Sequence, residues 1–471
     1  MNKAGMRKYY AFLLFCSIVA GTSGCSYLTG TAVMRDYPMV PEEGAIPGVP
    51  PASEFADYWI RQYPDPDEVL MTPEEIVMFN DENPAKGNDL IDIPGMTDEC
   101  EGANIRDYVA KSARYLASAY FLVTGRIPLE QAERQRIIAL MDTLGVQEVI
   151  PVRFGMTIQP TMTKLWPTTI PLLEKEGDNE FDMGVVSSVD IATPVAVLHT
   201  SRDGRWALVQ TPRFLCWMPA GAFALGDREI IRTFTDCSPP LVAVGHRVSV
   251  FANPAERIAA SSIQMGSYLP LRTAGNDFYE VLVPGRGKKG ELVVQTGYVR
   301  HSSDVSIGFL PYTIRNVFRQ CYLLYGRRYG WGGMFEERDC SRYIMDVFRC
   351  FNIQLPRNSS RQAEASKAVI SLDGMDKDMR LELLGKTPGG ISLLRMPGHI
   401  MIYLGSIDGT PYAIHNFWAW RTPSDSGEDI VHRTARVAVS GLDLGEGSER
   451  GSFIERLTHV TILGNYTIET R

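Results

Sequence analysis

Eight cysteines among 471 residues fall at uneven spacing, which excludes the regular, even framework of a disulfide-built secreted domain. Long apolar runs are missing as well. The run near the N-terminus, YYAFLLFCSIVA, stops at twelve residues, whereas a membrane-spanning helix needs about 20. Positive charge is in deficit, with 47 Lys and Arg against 55 Asp and Glu, a net charge of -8. A nucleic-acid partner would demand a basic surplus, so none is expected. At 45% hydrophobic and 22% charged residues the composition is neither that of a disordered chain nor that of a coiled coil. A chain this long exceeds one core and should divide into three or four units.

What is present begins at the N-terminus. The basic MNKAGMRK, the apolar run and the small residues of GTSGC have the order of a signal peptide. Small residues just before Cys25 resemble a bacterial lipoprotein signal, which implies lipidation at Cys25 and a membrane anchor. Thr22 stands where Leu is commonest in such signals. Ser26, in place of Asp, favours the outer membrane. The expectation is therefore an exported, periplasmic, lipid-anchored chain. Cleavage after residue 24 removes Lys3, Arg7 and Lys8 and no acid, moving the formal charge from -8 to -11.

Residues 25–50 are rich in Pro and Gly and read as a tether. Residues 51–165 carry helical periodicity: Thr72, Pro73 and Glu75 make a helix start, and NIRDYVAKSARYLASAYFL and PLEQAERQRIIALMDTLG have apolar residues at spacings of three and four. The period then changes to two. Residues 166–230 and 231–305 are successions of short Val-rich strands and turns, each long enough for a small barrel. RWALVQTPRFLCWMPAGAF and FYEVLVPGRGKKGELVVQTGYV resemble bacterial SH3-like domains, with GRGKKG at a hairpin tip. From 306 to 471 an amphipathic helix, a glycine-rich turn, a second helix and several strands make an α+β unit.

The second helix opens at Cys340, with Tyr343, Ile344, Val347, Phe348 and Phe351 on one apolar stripe. A cysteine in a first helical turn meets unpaired N–H groups and the positive end of the helix dipole, which favour a thiolate. Asp339 is the expected N-cap, with Ser341 as a second capping oxygen. Gly330, Gly332 and Gly333 would let the backbone turn tightly beside a substrate. Among seven histidines, His399 and His415 lie on consecutive strands. A loop from Gly405 to Gly409, centred on Ile407, sets their residue numbers to sum to 814. His399 then stands opposite His415 with Cβ atoms about 5 Å apart.

The ordered phrases Y-x-W-G-G, D-C-S, L-P-R-x-S-x-x-Q and H-x-x-x-Y-L-G with a later histidine, in YGWGGMFEERDCSRYIMDVFRCFNIQLPRNSSRQ and GHIMIYLGSIDGTPYAIHNF, resemble the NlpC-type bacterial cell-wall cysteine peptidases. The resemblance implies a papain-like catalytic domain that hydrolyses peptidoglycan stem peptides or muropeptides, commonly between γ-D-glutamate and the diamino acid. It further implies Cys340 as nucleophile, His399 as general base and His415 as orienting residue. Tyr329 would line the oxyanion side; Asp339 and Ser341 would hold a free N-terminal L-Ala amine, and Ser359 would meet substrate. Neither metal nor other cofactor is implied. Phe214 or Trp217 of the first barrel could wall the cleft. Arg342 replaces a usual Gly and would alter the cleft rim; Glu337 and Arg338 stand where a smaller loop is common, and Gly390 replaces an acid. The competing readings are an acyltransferase or other amidase on the same fold, or a non-catalytic wall-binding lipoprotein.

Overall fold

The computed structural model describes residues 39–41, 46–425 and 427–465. The signal segment, Cys25 and most of the tether lie outside the described residues. The chain forms two compact units, one from Gly87–Phe309 with Gly330–Glu336, the other from the described part of Ser23–Lys86 with Leu310–Tyr329 and Glu337–Arg471.

In the first unit seven strands form an antiparallel sheet in the order Phe223–Leu225, Arg153–Thr157, Pro194–Thr200, Trp206–Gln210, Leu215–Pro219, Thr161–Lys164, Val185–Val189. Side chains alternate between its faces, as a strand requires. Both faces are buried: Leu215 and Trp217 enter one apolar cluster, Cys216 and Met218 another. The first cluster also takes Ile105, Val109 and Leu116 from helix Gly102–Ser118 and Ile137 from helix Gln131–Leu140. The stretch read as one helical domain is thus divided. Residues 51–86 belong to the other unit, the two helices cover the sheet, and strands Arg153–Thr157 and Thr161–Lys164 lie within it. A helix with a single apolar stripe needs a partner face, and this sheet supplies one. Trp217 is consequently fully buried core and cannot wall a cleft, while Phe214 packs partly buried against the opposite cluster.

A second all-β module has five strands in the order Leu292–Arg300, Phe278–Arg286, Tyr268–Ala274, Pro240–Ala243, Val305–Ile307, beside the hairpin Arg247–Val250 and Ser261–Gln264. Leu241, Val248, Ile263, Leu269, Val281 and Val299 fill its core. The glycines of the Y-x-W-G-G phrase serve this unit. Gly332 and Gly333 have φ of +58° and +90°, and a β-carbon on either would collide with Val185 or Ser188. Their close approach is therefore to a barrel strand, and Trp331 donates its indole N–H to the Asp182 carbonyl at 3.2 Å.

The second unit is built on a seven-stranded sheet in the order Met39–Pro41, Ile430–Gly441, Thr410–Thr422, His399–Ile407, Ser392–Met396, His459–Ile462, Ala368–Ser371. Every pairing is antiparallel except that of Met39–Pro41, which runs parallel to Val431–Arg433. Part of the expected tether is therefore an edge strand. Helices Ile314–Leu323 and Cys340–Arg349 belong to this unit, the second packing against the strands that carry both histidines. Residues 51–86 join it through polar anchors. Ser53 O accepts from Trp59 Nε1 at 2.8 Å and Tyr322 Oη at 2.6 Å, and Asn80 exchanges bonds with the backbone of Asn352 and Gln354. Thr72 and Glu75 form the expected capping box of helix Pro73–Glu82.

Candidate active site

Cys340 is the first residue of helix Cys340–Arg349, and the Asp339 carboxylate caps it by accepting from Arg342 N at 2.9 Å. The cysteine is buried, only 7% exposed. Below it, two arginines converge on one acid. Arg342 Nε reaches both Asp346 oxygens at 2.9 Å, and Arg338 Nε reaches Oδ2 at 2.8 Å. All three side chains are at most 2% exposed. Arg342 therefore turns inward instead of reshaping the cleft rim, because its charge finds a buried partner one helical turn away. Glu337 is also buried and paired, to Arg327.

Asp339 is heavily engaged. Arg357, from the L-P-R phrase, bonds both its oxygens and also donates to Ser341 Oγ at 2.7 Å. Gln362, fully buried, donates to the carbonyls of Ser341 and Pro356, each at 2.8 Å. The L-P-R-x-S-x-x-Q phrase thus fastens the first turn of the cysteine helix. Ser359 opens the short helix Ser359–Gln362 and is half-buried.

The histidines meet by a route other than the expected one. The turn is the two-residue Asp408–Gly409, with φ of +49° and +83°, as a tight hairpin demands. Near it, Ile407 pairs with Thr410, a sum of 817; beyond Leu404 the register shifts by one, and Ile402 pairs with Ile414, a sum of 816. Parity decides the outcome. At 817 the two histidines would point to opposite faces, and the bulge returns them to one. They are diagonal neighbours rather than a directly opposed pair, with His399 Nε2 2.6 Å from His415 Nδ1. Gly405 permits the bulge. Its φ is +130°, and a β-carbon there would lie 3.3 Å from the Trp59 ring.

His415 is fully buried, stacked on Phe417 at 4.1 Å, and its Nε2 faces Ser440 Oγ at 2.9 Å. If Ser440 accepts from His415 Nε2–H, then His415 Nδ1 accepts from His399 Nε2–H, and His399 Nδ1 is left as a basic lone pair. Ser440 had no role in the sequence reading. Its signal was a polar residue in the otherwise apolar run VAVSGL. Asn416, also missed, donates to the Arg338 carbonyl at 2.7 Å, and Tyr329 bridges to Arg338 along the backbone. The segment just ahead of Cys340 is so joined to both Tyr329 and the His415 strand.

Burial pushes the pKa of His399 down to about 3, with Arg456 adding to the effect and Asp339 opposing it. Burial, then the neighbouring His399, holds His415 well below the ordinary imidazole value. Both rings stay neutral in the folded chain while the unfolded chain takes up protons near pH 6.5, so stability is lost as pH falls from 6.5 towards 3. Each histidine contributes a slope approaching about 1.4 kcal/mol per pH unit. Urea midpoints should decline between pH 7 and pH 5, and less steeply in His399→Gln/His415→Gln; equal slopes would refute the buried neutral pair.

The family model described as the NlpC/P60 family matches residues 326–417, and that of the SH3 domain of SH3b1 type matches residues 171–219. Residues 326–417 are an NlpC/P60 domain. That family comprises cysteine peptidases of the cell wall, so the chain is, in coarse terms, a hydrolase of peptidoglycan peptide carrying a bacterial SH3 domain. An NlpC/P60 endopeptidase from Photobacterium damselae subsp. piscicida has the same fold, at TM-score 0.73 and 17% identity, over 91% of this chain and 99% of that one. An NlpC/P60 family protein from Bacillus cereus ATCC 10987 is also similar, at TM-score 0.46 and 16% identity, over 65% of this chain and 98% of its own. No curated protein matches the chain. Among the described residues six cysteines, including Cys340, form no disulfide. Cys100 and Cys237 are pushed up to about 11 by burial, the behaviour of inert packing residues.

Proposed function

We propose that the chain is an exported, lipid-anchored cysteine endopeptidase that cleaves peptidoglycan stem peptides with Cys340, His399 and His415. The observation that carries this is the 2.6 Å contact between two buried neutral imidazoles, on strands packed against the helix that Cys340 opens. In the reaction the Cys340 thiol gives its proton to His399 Nδ1, and the thiolate attacks the amide carbonyl. The developing oxyanion meets backbone N–H at the helix start. His399 then returns the proton to the leaving amine, and water hydrolyses the thioester. His415, backed by Ser440, keeps the His399 tautomer in which Nδ1 is the base.

The finer reading is cleavage between γ-D-Glu and the diamino acid in fragments with a free N-terminal L-Ala, held by Asp339 and Ser341 with Ser359 nearby. Asp339 is already paired with Arg357, so an arriving ammonium would meet an ion pair, and the amine preference is a separate claim from the chemistry. The purified chain is incubated with L-Ala-γ-D-Glu-diaminopimelate-D-Ala and its N-acetylated form, beside Cys340→Ala, and products are followed by mass spectrometry. Cleavage of the free-amine peptide alone, absent in the variant, supports both claims. Cleavage of both peptides keeps the enzyme and discards the amine preference, and cleavage of neither removes the function.

A further inference from the structure

The hairpin of Thr410–Thr422 and Ile430–Gly441 slips register once, between Phe417 and Ala419. Opposite the slip, Ala435 adopts φ +48°, a left-handed conformation that a residue with a β-carbon rarely takes. Bulges of this kind re-aim side chains and gather beside active sites. This one does two things. The Ala435 carbonyl accepts the Tyr329 N–H at 2.8 Å, and the Trp418 ring stands edge-on to the Tyr329 ring with centroids 5.8 Å apart. The Arg433 guanidinium in turn lies over Trp418, 4.3 Å from the ring centroid. Tyr329 bridges to Arg338, two residues before Cys340, and the Arg338 carbonyl is held by Asn416 beside His415. A row of three side chains thus begins next to the nucleophile segment, and its outer two members, Trp418 and Arg433, are only partly buried.

We propose that Arg433, held over the Trp418 ring, recognises a free carboxylate of the substrate. A guanidinium meets a carboxylate through two parallel N–H bonds, and one already held over an indole by cation–π attraction has given up part of its freedom beforehand, so less is lost on binding. The inference rests on the proposed function: a glutamate joined through its γ-carboxyl keeps its α-carboxylate free beside the scissile amide, and the diamino acid carries another on the far side. The two sources share one chemistry and are separable by amidation.

The test compares kcat/KM of the full chain, Arg433→Ala and Arg433→Lys on the free tetrapeptide, on its α-amidated D-isoglutaminyl form, and on its form amidated at the diamino acid. Expected is a loss of at least tenfold in Arg433→Ala on the free acid, with partial recovery in Arg433→Lys. One of the two amidated peptides, the one lacking the recognised carboxylate, should be cleaved equally by the full chain and Arg433→Ala. An equal loss on all three peptides would exclude both the glutamate and the diamino-acid carboxylates and overturn the proposal, as would no loss on any. Failure of the unaltered chain to cleave any of the three removes the proposed function, and this inference with it, before the variants are compared.

Discussion

Replacing His399 with alanine is expected to lower kcat on the stem peptide by about 10³-fold, within the 10²- to 10⁴-fold span of a lost general base. Replacing His415 should be milder, because the base remains but its tautomer is no longer fixed. A loss of about 10² is expected there, and about tenfold for Ser440→Ala, which weakens only the outer end of the relay. The ordering follows the chain of contacts from His399 through His415 to Ser440, at 2.6 Å and 2.9 Å. Steady-state kinetics on the three variants, with circular dichroism to verify folding, checks it. A Ser440→Ala variant as impaired as His399→Ala would show that the relay is not graded. The rate of Cys340 alkylation against pH gives an independent reading, since removal of the base should also alter the thiol's ionisation.

The candidate site was legible in sequence where local chemistry dictates structure. Asp339 caps the cysteine helix because a short acidic side chain just before an apolar stripe has few better positions, and Thr72 and Glu75 form their capping box for the same reason. The two-residue turn at Asp408–Gly409 was also open to inspection, since Asp-Gly between apolar runs signals a tight hairpin. Placing the loop centre at Ile407 instead gave a sum of 814 where 817 holds at the turn. What no local pattern could supply is the bulge at Leu404. It depends on Gly405 passing the Trp59 ring, a contact more than three hundred residues away in sequence. The same holds for the N-terminal stretch. Helical periodicity marked the helices of 51–165, but periodicity does not say which surface a stripe will cover, and the stretch is divided between the two units.

Truncation of Asp346 should be the most damaging single change to stability in the second unit. Its carboxylate is fully buried and accepts from Arg338 and Arg342, both at most 2% exposed, with Arg349 3.6 Å away. Asp346→Ala strands those cations in a low-dielectric interior, and removal of one partner from a buried ionic group costs about 3–5 kcal/mol. That is a large share of the about 5–15 kcal/mol by which a folded protein is stable. Arg342→Gly should cost less, since the Arg338 to Asp346 pair survives. Replacing all three by apolar residues of similar volume, as in Arg338→Met/Arg342→Met/Asp346→Leu, should recover most of the loss, because a buried ion pair contributes little beyond well-packed apolar groups. Urea unfolding of the four chains decides the matter. If Asp346→Ala is no less stable than Arg342→Gly, the carboxylate is not what holds the two guanidinium groups. The functional consequence runs through Arg338, whose carbonyl carries Asn416 and whose backbone carries Tyr329. A triple variant that regains stability but not turnover would place the value of the cluster in fixing the segment ahead of Cys340.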